Sequence, residues 1–130
     1  MSVHLITGAG SGIGSVVARR LLDRGDQVVV LARDAGRAKE ITAALPGASA
    51  IGGDLAQPGR LSWALSKQAL PERIDSLIHA AGVVDLGPVA DLAANLWERQ
   101  LAVNLVGPAE LTRLPVSYTH LRAHETRGNL

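Results

Sequence analysis

Val3-His4-Leu5-Ile6-Thr7-Gly8-Ala9-Gly10-Ser11-Gly12-Ile13-Gly14 is the stretch that decides the fold of this chain. The apolar run over Val3–Thr7 predicts a buried strand. Residues 11–24 predict a helix with Val16, Val17, Leu21 and Leu22 turned inward. Strand, glycine-rich turn and helix, in that order, cradle a phosphate. The helix start offers unpaired N–H groups and the positive end of its dipole. Glycines let the anion approach the backbone, because no Cβ stands in the way.

The spacing selects one version of this loop. G-x-G-x-x-G does not fit, because Ile13 stands where the third glycine is needed. T-G-x-x-x-G-x-G does fit, through Thr7, Gly8, Gly12 and Gly14, with Ser11 and Ile13 inside it. That pattern resembles the cofactor loop of the short-chain dehydrogenase/reductase family.

Beyond the loop, apolar runs alternate with amphipathic stretches. Gly25 suits a helix C-cap. Strands are predicted over 27–32, 49–52 and 74–80, and helices over 35–45, 58–70 and 93–114. The order βαβαβαβα implies an α/β fold with a parallel sheet and right-handed crossovers. This is a Rossmann-type doubly wound sheet with spatial order 3-2-1-4, and its ligand lies at the carboxyl ends of the strands. Residues 1–114 are expected to form this domain.

Composition narrows the functional classes. Among 130 residues, 47% are hydrophobic and only 2% aromatic, so the core must be aliphatic. A net charge of +1 gives no reason to expect a nucleic acid or a membrane surface as partner. There is no cysteine, so neither a disulfide nor a thiolate metal site can form, and no metal site is expected. No apolar stretch approaches the roughly 20 residues needed to span a bilayer, and no signal peptide is evident. A soluble, cytoplasmic domain is expected.

The strand tips carry the candidate chemistry. Arg33 comes 19 residues after Gly14, where dinucleotide folds place the residue that meets the adenosine ribose. An acidic residue there binds the 2′-OH, whereas an Arg forks onto a 2′-phosphate. NADP(H) is therefore favoured over NAD(H), although Asp34 could swing in for the ribose. Asp54-Leu55 follows the third strand, and the resemblance implies that Asp54 accepts from the adenine amino group while Leu55 packs nearby. An N-cap role for Asp54 is the alternative. His79-Ala80-Ala81-Gly82 ends the fourth strand where the family carries Asn-Asn-Ala-Gly. Ala81 and Gly82 match, and the resemblance implies that the cofactor lies against them. His79 is read as a packed strand-end residue rather than an acid or base. Asn104, in Val103-Asn104-Leu105-Val106-Gly107, resembles the family asparagine that holds a helix distortion and a water of the proton relay; the alternative is an ordinary polar residue in a helix kinked by Gly-Pro.

The resemblance covers residues 3 to about 114 and implies hydride transfer between a cofactor and a small-molecule carbonyl or alcohol, in a homo-oligomer. The other reading is a non-catalytic NADP(H)-sensing module. The family's Ser and its Tyr-x-x-x-Lys pair have no counterpart here. Tyr118 and Arg122 mimic the spacing, but Tyr118 follows Asn104 by only 14 residues, and Arg does not give up its proton. His120 and His124 lack the pattern of a metal pair. Residues 116–126 resemble the translation of a sequencing-library adapter. The expectation is a reductase reading frame that leaves its gene near Leu114, giving a chain that binds cofactor weakly and turns nothing over.

Overall fold

A computed structural model describes residues 1–116, with side chains as far as Leu114. Four strands, β1 (Val3–Thr7), β2 (Gln27–Ala32), β3 (Ser49–Gly52) and β4 (Ser76–His79), pair in parallel in the order β3-β2-β1-β4. This is the predicted doubly wound order. The helices are α1 (Gly12–Asp23), α2 (Ala35–Ala44), α3 (Leu61–Ser66), α4 (Ala94–Leu101) and α5 (Gly107–Val116).

Alternation along the strands sends side chains to both faces, so the sheet needs helices on each side. Ile6, Val28 and Val30 pack with Ala18 and Leu21 of α1 and Ile41 of α2. Leu5, Val29 and Leu31 pack on the other face with Leu61, Leu65, Val103 and Leu111. Each such fully buried aliphatic side chain contributes about 1.5–3 kcal/mol. The core is aliphatic, as the composition required.

Several details differ from expectation. In α1 the buried stripe is Gly14, Ala18 and Leu21, with Val17 and Leu22 partly buried, whereas Val16 is exposed. Small residues at 14 and 18 bring this helix close to the sheet, and that choice of face turns Val16 outward. The end of α1 agrees with the sequence. Gly25, at φ +87°, donates to the Leu22 carbonyl at 2.9 Å, and Asp26 donates to the Leu21 carbonyl at 3.1 Å.

The helix expected over 58–70 is shorter. A 3₁₀ turn over Pro58–Arg60 precedes α3, and the chain leaves the helix where the Gln68 side chain turns to β3. The strand expected over 74–80 pairs only from Ser76 to His79. The single helix expected from 93 is interrupted by a π segment, Ala102–Val106, between α4 and α5. Pro108 has no N–H for the Asn104 carbonyl, so the regular ladder fails there. Gly107 donates instead to the Ala102 carbonyl, five residues back.

The end of the sheet away from the glycine loop is tied by His4, which is buried. Its Nε2–H donates to the Asp26 carboxylate at 3.1 Å, leaving Nδ1 to accept from the Ser76 hydroxyl at 2.5 Å. That hydrogen bond from His4, then the Ser2 backbone N–H and the Arg24 charge, hold the Asp26 carboxyl below its ordinary range. Tyr118, His120, His124 and most of the adapter-like segment lie outside the described residues.

Candidate functional site

A cleft of about 490 Å³ opens at the carboxyl ends of β1, β2 and β4. Thr7 closes β1 and is almost fully buried. Its hydroxyl oxygen accepts from the backbone N–H groups of Ala80 and Ala81, both at 3.2 Å, which fixes the glycine loop against the end of β4. The loop then runs through Gly8 at φ +71°, a conformation that a side chain rarely adopts. A Cβ on Gly8 would strike the Ala80–Ala81 backbone, and one on Gly14 would strike the Gly8 carbonyl. Both glycines are therefore required by close approach. Helix α1 points its N-terminus at the cleft with no acidic residue in the first turn, so nothing on the helix offsets its positive end.

Ten of the twelve residues singled out from the sequence line this cleft: Thr7, Gly8, Ser11, Gly12, Ile13, Arg33, Asp54, Leu55, Ala81 and Gly82. Gly14 and Asn104 are not among the lining residues. Gly14 is buried under the loop. Asn104, in the π segment, accepts from the Val83 N–H at 2.8 Å and donates to the Val83 carbonyl at 2.6 Å, so it braces the loop that leaves Gly82. Asp54 is not the N-cap of a helix. Its Oδ1 accepts from the Ala56 N–H at 2.9 Å and so closes the turn after β3.

Asp34 is already employed. It caps α2, with Oδ1 accepting from the Arg37 N–H at 2.7 Å. Its other oxygen lies 3.7 Å from Arg33 Nε, and Asp34 is not among the cleft-lining residues. Arg37, overlooked in the sequence, also lines the cleft. Its guanidinium lies over Gly10, in the space that a Cβ there would take. Arg99 of α4 also lines the cleft and approaches Asp85 at 3.8 Å.

His79 faces α5. The Thr112 hydroxyl donates to the Pro108 carbonyl at 2.7 Å, so it must accept from His79 Nε2–H at 2.9 Å. Burial pushes the imidazole below its ordinary pKa.

The comparison with protein families decides what this arrangement belongs to. The family model described as short chain dehydrogenase matches residues 2–128. The chain belongs to the short-chain dehydrogenase family. A short chain dehydrogenase of Emericella nidulans is 35% identical over 126 residues, covering 94% of this chain and 62% of the relative. A D-threitol dehydrogenase of Mycolicibacterium smegmatis is 33% identical over 81% of this chain and 42% of its own. Among solved structures, a 3-ketoacyl-ACP reductase from Sinorhizobium meliloti 1021 superposes with a TM-score of 0.76 at 32% identity, covering 92% of this chain and 49% of that one. A 4-hydroxyisoleucine dehydrogenase complexed with NADH gives 0.74 at 25% identity, over 90% and 49%. The chain thus spans about half the length of most of the relatives it matches. Among its described residues, no helix is long and apolar enough to cross a membrane.

Proposed function

We propose that residues 1–114 hold NADP(H), in preference to NAD(H), for a cytoplasmic short-chain reductase that interconverts a small-molecule carbonyl and an alcohol. The observation that carries the reading is the β2 tip, where Arg33 and Arg37 both line the cleft while Asp34 is spent on capping α2. Two guanidinium groups suit a 2′-phosphate, with Arg37 also paired to Glu40 at 2.8 Å, and Asp34, outside the cleft lining, is poorly placed to receive a ribose hydroxyl.

The residues present fit a dinucleotide. Gly8 and Gly14 leave a cradle that a Cβ would fill, and α1 aims its N-terminus at the place of the pyrophosphate. Asp54 and Leu55 border the adenine end, and Ala81 and Gly82 border the ribose on the nicotinamide side. When bound, the cofactor supplies or accepts a hydride. Asn104 acts by holding Val83, and with it the backbone along which the reacting end would lie. The described residues contain no Tyr-Lys pair, and this reading has the 130-residue chain bind cofactor without turnover. The exposed stripe Trp97, Leu101 and Leu105, spaced four apart on one side of the α4–π region, supports a homo-oligomer.

The test is Arg33→Ala. Loss of a charge-assisted contact worth roughly 1.5–3 kcal/mol lowers NADPH affinity about 10- to 100-fold, while NADH affinity stays within about twofold. Equal losses for both cofactors, measured by calorimetry, would sink the NADP(H) preference.

A further inference from the structure

Gln68 makes an unusual set of contacts for a residue outside any strand. Its Oε1 accepts from the Gly52 N–H at 2.6 Å, and its Nε2 donates to the Gly52 carbonyl at 2.8 Å and to the Ala64 carbonyl at 2.8 Å. Because β3 is an edge strand among the described residues, the N–H and C=O of Gly52 on that side meet no strand there. The carboxamide thus completes the ladder as one further peptide group would, at the last residue of β3 before the chain turns.

The turn it holds is the one that delivers Asp54 and Leu55. On its inner side, Gly53 N–H donates to the Ala32 carbonyl at 2.9 Å, and a Cβ on Gly53 would meet Leu31 and Leu61 at 3.0 and 3.1 Å. The turn is therefore gripped by β2 from inside and by Gln68 from outside. Gln68 does not line the cofactor cleft. It lines an adjoining groove that shares Arg33, Gly53 and Asp54 with the cleft, so its link to the cleft runs through this turn.

We propose that Gln68 is a positioning residue for adenine recognition, fixing through Gly52 the place of the Asp54 carboxylate that receives the adenine amino group. The inference rests on the dinucleotide reading of the cleft and adds to it the residue that sets base selectivity. Without the carboxamide, Gly52 loses its outer partners, and the turn, still closed on itself by Asp54 and Ala56, shifts as a unit on its inner bond to Ala32. Asp54 then no longer discriminates between bases, while the glycine loop and Arg33, carried by β1 and β2, stay in place.

Comparing NADPH with its 6-deamino analogue, in which hypoxanthine replaces adenine, isolates this effect. The wild-type 130-residue chain is expected to bind NADPH about 5–10-fold more tightly than the analogue, the scale of one hydrogen bond at the base. In Gln68→Leu the preference falls to within twofold of unity, through weaker NADPH binding with affinity for the analogue unchanged. Gln68→Glu, which keeps the acceptor and loses both donors, falls between them and serves if the leucine variant does not fold. General destabilisation would weaken both ligands alike, and that result overturns the proposal, as does an undiminished preference in a folded variant. Failure of the wild-type chain to bind either dinucleotide would overturn the reading of the cleft itself.

Discussion

A methyl group on Gly14 has nowhere to go: it would overlap the Gly8 carbonyl and lie 3.1 Å from Ala80 Cβ. Gly14→Ala is therefore expected to push α1 away from the loop, costing roughly 1–3 kcal/mol of stability as an overpacked site does. The larger effect falls on NADPH affinity, expected to drop more than about 100-fold (about 2.7 kcal/mol). Urea unfolding and calorimetry on the same preparation measure both; an alanine variant with wild-type affinity would show that the close approach has no bearing on binding. At this scale the sequence was informative wherever spacing implies chemistry. Thr7, Gly8, Arg33 and Asp54 are all found at the cleft. It was silent on Gln68, whose partner lies 16 residues away across a turn, because no local pattern distinguishes a side chain that pairs with a strand edge from one in solvent. Arg37 was hidden for a similar reason, since its place depends on how α2 docks rather than on its own neighbours.

Strands proved more legible than helices. Val3–Thr7, Gln27–Ala32 and Ser49–Gly52 read directly as short apolar runs between turns, because strands covered on both faces need no polar alternation. The π segment was less legible. Gly107-Pro108 signals an interruption, but whether a helix answers with a kink or with an extra residue depends on what it packs against. Here Gly107 is pressed against the backbone carbonyl of Leu55, and α5 is fastened to β4 through His79 and Thr112. The same packing, by partly desolvating the imidazole, gives the protein a pH response. Burial holds His79 below its ordinary value of 6.5, so on acidification the unfolded chain takes up a proton before the folded chain does. The stability associated with His79 is whole above about 6.5 and is lost as pH falls towards the folded-state value. Asp26, with its carboxyl lowered by His4, adds a second loss in more acid solution, below the ordinary carboxylate range. His79→Gln keeps a donor for Thr112 and does not titrate. Its melting temperature should stay level between pH 7.5 and 5.5 where the wild type declines; parallel profiles for the two proteins would assign the decline to other groups.

At the scale of the molecule, the sheet organises everything that a dinucleotide would touch. Its carboxyl end gathers the loop after β1, the cationic tip of β2, the turn after β3 and the small residues after β4 into one cleft. Its other end is locked by His4, Asp26 and Ser76, where no ligand is needed. On the far side of β4 the described residues provide no further strand, and apolar side chains at Val84, Leu86 and Val89 stay exposed. On the proposed reading, turnover draws on groups beyond these, whereas cofactor binding draws only on what the cleft holds. Isothermal titration of the 130-residue chain with NADPH tests that division most directly. Saturable binding of one NADPH per chain, weakened by added salt as expected of contacts to phosphate and absent in Gly14→Ala, is the predicted result. A folded chain that gives no saturable binding of NADPH or NADH would contradict the account.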